Sequence, residues 1–175
     1  MSGFPLTRSA RELSRAALCT ACLCLLAPVS LPIGPVSLTL GLFAVQLAGA
    51  LLEPAWAAAS AVTYLLLGFA GLPVFAGGLA GPGVLFGVTG GFLLAYPLTA
   101  AVFSMGCRRF SSPAQRLAAA LAANCCCYLP GTLWFMAAAG RELLPALSAC
   151  VLPFVLPDLF KAWCALALAR RIRSL

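Results

Sequence analysis

The sequence predicts an all-α integral membrane protein with six transmembrane helices, and three observations carry that expectation. Of the 175 residues, 63% are hydrophobic and only 9% are charged, whereas a soluble domain is about half apolar and about a quarter charged. Polar side chains are too scarce to cover a soluble globule. Apolar segments alternate with Gly- and Pro-rich punctuation along the whole chain, and the basic residues gather in clusters between them. At about 20 residues per span, six spans use about 120, which leaves about 55 for termini and loops. The chain is therefore expected to be one compact membrane domain over 1–175, with no room for a soluble catalytic module.

The first span, 13–30, runs into Pro28, Pro32, Gly34 and Pro35, so residues 31–37 are expected to form an irregular loop. A second, short span at 38–52 stops at Glu53-Pro54. The third, 55–72, leads into a Gly-rich loop over 73–83. Spans four, five and six are expected at 87–107, 114–139 and 158–172. Residues 143–156 are apolar but broken by Pro145 and Pro153, which reads as a short helix within a long loop. Spans below about 20 residues are tolerated where helices tilt little or the bilayer thins.

Charge orients this arrangement, because cytoplasmic loops carry the excess of Lys and Arg. Arg8, Arg11 and Arg15 precede span one; Arg108, Arg109 and Arg116 lie between spans four and five; Arg170, Arg171 and Arg173 follow span six. With both termini cytoplasmic, all three clusters fall on the inner face. An Arg-rich start before an apolar run also resembles a signal peptide, but cleavage there would break the parity that places the other two clusters inside. Only Arg141, beside Glu142, and Lys161, inside span six, stand apart from the pattern.

The same counts thin out other functions. There is no His, and Glu12, Glu53, Glu142 and Asp158 are the only carboxylates, so the usual general acids and bases are nearly absent. The net charge of +7 is spread over three loops and lacks the single groove-sized patch that nucleic acid requires. Cys19, Cys22 and Cys24, and the run Cys125 to Cys127, invite a metal or redox reading. A structural metal site wants paired ligand sets, often completed by His, and free Cys inside apolar helices behaves as a small hydrophobe. All nine cysteines are expected to be reduced packing residues, with neither metal nor cofactor.

Asp158 and Lys161 are left over from this sorting. Three residues apart, they share a helix face, and each costs about 2.5–3.5 kcal/mol at mid-membrane on insertion scales. Two readings follow: the residues pair and cap the start of span six, with Asp158 at the positive end of the helix dipole, or they line a polar pocket near the outer surface. The loops 31–37 and 73–83 lie on that outer side too, and irregular backbone at membrane depth belongs where it lines a cavity. Gly77, Gly78, Gly81 and Gly83 either serve such a loop or serve turns and packing; Gly87 and Gly91 are expected at close helix contacts.

The segments LPIGPVSLT (31–39), FAVQLAGALL (43–52), YLLLG (64–68), GLPVFAGG (71–78), GVTGGF (87–92) and PFVLPDLFKA (153–162) resemble, in order and over nearly the whole chain, the BioY family. Its members are the biotin-binding substrate components (S components) of energy-coupling factor (ECF) transporters. The resemblance implies an S-component-like six-helix bundle in the bacterial cell membrane, with both termini cytoplasmic. It also implies a biotin pocket open to the outside beneath the loop after span one, and no enzyme activity. Asp158 and Lys161 match the family's ligand-contacting pair, and Gly77, Gly78 and Leu79 match the Gly-rich loop expected beside the ligand. Ala17 and Ala21 are similar to the small-residue motif that docks on a transmembrane coupling protein, which works with two ATPase subunits.

Three positions depart from the family pattern: Gly41 where many members carry Gln, Leu79 in place of Gly or a polar residue, and Pro157 before Asp158. Gln46 or Asn124 is expected to supply a compensating amide. Alternatives are an S component for another small vitamin or precursor, a membrane-embedded enzyme using Lys161 or a cysteine, and a structural membrane partner.

Overall fold

The computed structural model describes residues 5–33 and 36–174, with all their side chains except those of 5–9 and 33. Gly34, Pro35 and the Arg8 side chain lie outside the described residues. Helix α1 (Pro5–Leu26) is followed by strands β1 (Ser30–Ile33) and β2 (Val36–Thr39), and then by α2 (Gly41–Leu51) and α3 (Pro54–Phe69). Beyond a 3-10 turn at Ala76–Gly78 come α4 (Pro82–Leu85), α5 (Gly90–Leu94) and α6 (Tyr96–Arg109), then α7 (Pro113–Ala139), α8 (Leu143–Cys150) and α9 (Leu152–Arg173). By length and composition, Pro113–Ala139 and the stretch Leu143–Arg173 can each cross a membrane, whereas α2 and α3 are apolar but shorter.

Local chemistry explains most boundaries. Pro28 disfavours helix in the residue before it, and α1 stops at Leu26. The expected irregular loop at 31–37 is instead a two-stranded antiparallel hairpin pairing Leu31 with Leu38 and Pro32 with Ser37. Pro is tolerated there because the ribbon has free edges. Thr39 closes the ribbon and starts α2: its Oγ1 accepts the Gly41 N–H at 3.2 Å. Pro54 opens α3 at the position where a missing N–H costs nothing. Gly140, with φ +60°, ends α7 as a left-handed cap.

Two expected spans differ in form. Span four is not one helix over 87–107 but two, α5 and α6, preceded by the short α4, because residues 83–90 turn back on themselves and bring the Gly87 and Gly90 backbone against the carbonyls of Gly83 and Leu85. Gly91 does sit at a helix contact, under Trp134 of α7, whereas Gly87 packs on its own turn and accepts the Trp134 Nε1–H at 2.9 Å. Span six begins at Leu152, six residues earlier than expected. Pro153 lies in the first turn, so the helix runs on through Pro157.

The interior is made largely of alanine. Ala44, Ala48, Ala57, Ala61, Ala100, Ala120, Ala123, Ala162 and Ala165 are all buried, as expected where membrane helices approach closely. All nine cysteines are free, with Cys19, Cys107, Cys127 and Cys150 in this packing. At Gly68, a Cβ would collide with the Phe75 ring. The absence of that atom lets Phe75 meet Tyr64 edge-on, with ring centroids 5.7 Å apart.

Helices α2 and α9 run side by side in the same direction. Near the start of α2, Lys161 bonds to Thr39; at its far end, the Arg173 guanidinium donates to the Ala50 carbonyl. Just past that end, Glu53 stands 4.0 Å from Arg108 of α6. The basic clusters thus meet at one end of the bundle, and the hairpin lies at the other.

Candidate functional site

At the hairpin end, a partly open cavity of about 60 Å³ lies between β2, the start of α2, α5, α6, α7, the end of α8 and α9. Its polar walls come from a few side chains. Asp158 is 3% exposed and Lys161 9%, and the two are paired, Nζ to Oδ1, at 2.8 Å. The second carboxylate oxygen, Oδ2, accepts the Tyr128 hydroxyl at 2.5 Å. Lys161 Nζ also donates to the Thr39 carbonyl at 2.7 Å. An ammonium has three N–H donors, so one remains after these two bonds.

The two sequence readings of the pair therefore combine: the residues pair with each other and also line the cavity. The capping reading does not hold, because α9 starts at Leu152 and Asp158 lies well inside it, beyond the first turn where the dipole acts. Pairing and hydrogen bonding are what make burial of both charges tolerable.

Gly77, Gly78 and Leu79 do not line this cavity. The 3-10 turn that carries the glycines is pinned at the root of the hairpin, where Gly77 N–H donates to the Pro28 carbonyl at 3.1 Å; Leu79 is exposed. The expected compensating amides are not in the cavity either. Gln46 Nε2 donates to Asn124 Oδ1 at 2.8 Å inside the core, while Gln46 Oε1 is buried without a hydrogen-bond partner.

The departure at Gly41 has a local cause. A Cβ there would lie 3.0 Å from the Tyr96 hydroxyl and 3.2 Å from Thr39 Oγ1, so Tyr96 occupies the space a larger residue would need. Pro157 sits within α9 and leaves Asp158 and Lys161 on one face.

Ala17 and Ala21 are exposed on α1 and border an outer groove with Trp56 and Ser60 of α3. Among the described residues, no group of three His, Cys, Asp or Glu side chains is arranged to hold a metal.

Sequence reasoning missed Tyr128, Tyr96 and the Thr39 carbonyl. The two phenols carried a signal, since a hydroxyl inside an apolar span needs a partner. A backbone carbonyl carries none.

Comparison with known proteins agrees with this architecture. The sequence profile of the BioY family matches residues 3–175. The chain is 36% identical over 165 residues to the probable biotin transporter BioY of Pyrococcus horikoshii, covering 94% of this chain and 98% of that one. It is 35% identical over 165 residues to the biotin transporter BioY of Thermotoga maritima, covering 94% and 97%. The crystal structure of the S-component for biotin from an ECF-type ABC transporter superposes with a TM-score of 0.89 at 26% identity, covering all of this chain and 95% of the other. With its motifs in order, its fold shared and its whole length matched, the chain belongs to the BioY family.

Proposed function

We propose that this chain is the biotin-binding S component of an energy-coupling factor transporter and mediates biotin uptake. The observation that carries the reading is the buried Asp158–Lys161 pair, set in a cavity at the hairpin end and opposite the basic clusters. Biotin presents two ureido N–H donors, a carbonyl, an apolar bicycle and a carboxylate. An ammonium with a remaining donor, a carboxylate and apolar walls including Leu42, Phe92 and Phe154 suit that combination.

At about 60 Å³ and bordered by Val36 to Thr39 of β2, the cavity is smaller than the roughly 300–1,000 Å³ of ligand pockets, so a bicyclic ligand enters by lifting β2. Lys161 must then exchange the Thr39 carbonyl for the ligand. Gly77, Gly78 and Leu79 act at the root of this cover, where Gly77 is bonded to Pro28.

The basic end faces the cytoplasm and carries both termini, in keeping with the positive-inside rule. These 175 residues contain no G-x-x-x-x-G-K-[ST] loop, so ATP hydrolysis falls to two separate ATPase subunits, reached through a coupling protein that docks on Ala17 and Ala21. Binding and release need no bond chemistry, and the chain acts as a carrier subunit, not as an enzyme.

Titration of the detergent-purified protein tests this reading. Biotin is expected to bind at nanomolar concentration, with binding lost in Lys161→Ala and Asp158→Asn; a folded protein that retains no biotin would overturn it. Orientation is tested separately in a cysteine-depleted background, where Leu79→Cys should be labelled from outside the cell and Ser112→Cys should not.

A further inference from the structure

The cavity beside Asp158 and Lys161 has a neighbour. At the far end of α7 a second recess, of about 230 Å³, is lined by Phe135, Arg141, Pro145 and Ala149. Ala149 borders this recess and the next residue, Cys150, borders the cavity, so the two spaces share a wall. Phe135, Ala146 and Cys150 form one buried cluster in it, and Val36 of β2 packs against that cluster while also lining the cavity. Lifting β2 to admit a ligand therefore removes part of the wall. The two volumes together then reach the lower end of the roughly 300–1,000 Å³ of ligand pockets.

Polar groups along α7 connect the two spaces. Tyr128, Thr132 and Phe135 follow at four- and three-residue spacing, so they share a helix face, and Phe135 stands about 10 Å along the axis from Tyr128. Tyr128 bonds to the buried acid at one end of this row, and Arg141 lines the recess at the other. Among the described residues the Arg141 side chain makes no hydrogen bond or ion pair, and its neighbour Glu142 does not line the recess. Thr132 is 5% exposed, yet its Oγ1 has no hydrogen-bond partner. A buried hydroxyl left in this state is costly. An unused guanidinium and an unused hydroxyl therefore lie on the same side of the shared wall, and both can donate to an anion.

We propose that this recess is the tail subsite for the ligand: the biotin carboxylate lies between the Arg141 guanidinium and the Thr132 hydroxyl, while the ureido ring meets Asp158 and Lys161. The assignment rests on the biotin reading above. A guanidinium fork matches a carboxylate bidentately, whereas the Lys161 ammonium is already engaged by Asp158 and the Thr39 carbonyl and keeps one donor, enough for a ureido carbonyl. Arg141 thereby selects the free acid over forms whose tail is esterified.

Titrations of the full chain in detergent with biotin and with biotin methyl ester test the assignment, because the ester keeps the ureido ring and lacks the anion. The parent should bind the acid about fivefold more tightly than the ester, the upper end for an Arg–carboxylate pair that stays partly exposed. Arg141→Gln should weaken the acid by about the same factor and leave the ester unchanged, and Arg141→Lys should restore part of the preference. Thr132→Val should also weaken the acid, with Tm unchanged or higher because the hydroxyl it removes has no partner in the fold. Equal affinity for acid and ester in a parent that binds biotin, or an undiminished preference in Arg141→Gln, would overturn the tail subsite and leave the biotin reading standing. So would slower association with an unchanged dissociation rate in Arg141→Gln, which would make Arg141 a steering charge alone. A folded parent that binds neither ligand would overturn both.

Discussion

Lys161 Nζ lies 2.7 Å from the carbonyl oxygen of Thr39, a residue 122 positions earlier in the chain. The same nitrogen is 2.8 Å from Asp158 Oδ1. One ammonium therefore ties the hairpin to α9 and neutralises the buried acid, so disturbing it affects the cover and the pair together. This coupling sets the first prediction.

Lys161→Met keeps the length of the side chain and removes its charge, leaving Asp158 buried with only Tyr128 beside it. Breaking one partner of a buried pair costs about 3–5 kcal/mol, and biotin binding should be lost with it. Asp158→Asn combined with Lys161→Met should recover most of the stability while binding stays lost. Unfolding curves and biotin titrations on the two single variants and the double variant check both halves.

Tyr128→Phe removes the O–H that reaches Asp158 Oδ2 at 2.5 Å and leaves the ring in place. A hydrogen bond to a charged group contributes about 1.5–3 kcal/mol to stability, so the thermal midpoint should drop in a protein that still folds, and biotin affinity should fall because Asp158 loses the group that orients it. Unchanged affinity in the titration would remove Tyr128 from the site.

Gly41→Gln restores the residue many family members carry but drives its Cβ against the Tyr96 hydroxyl. Overpacking of this kind costs about 1–3 kcal/mol, and the thermal midpoint should drop. Adding Tyr96→Phe frees the space and should recover part of the loss; no recovery would mean that the strain lies against Ala27 or Thr39 instead.

Ala17→Leu with Ala21→Leu alters exposed positions on α1, so stability and biotin binding should stay within error of the parent. Co-purification with the coupling protein should be lost. Retained assembly would assign docking to another surface.

Much of the candidate site was readable because charge is so rare here. With only four carboxylates and eleven basic residues, Asp158 and Lys161 stood out once topology had accounted for the other basic clusters, and their spacing placed them on one face. Their partners were not legible. Tyr128 is one of three tyrosines, and nothing in its neighbours shows that it turns toward α9. Gln46 and Asn124 looked like spare amides because sequence spacing cannot reveal that two residues 78 positions apart bond to each other. The misplaced start of span six has a simpler cause: Pro153 and Pro157 suggested a loop, while the chain uses Pro153 in the first turn, where its missing N–H goes unnoticed.

The sequence by itself determined the apolar character of the chain and the identity of the buried ion pair, since both follow from which residues are present and how they are spaced. Only the tertiary structure decided that the segment after α1 pairs with itself as a hairpin, that span four breaks into two helices, and that Thr39 and Tyr128 bond to the buried pair. Those features depend on backbone carbonyls and on atoms brought together from distant positions, and composition and local periodicity hold no record of either.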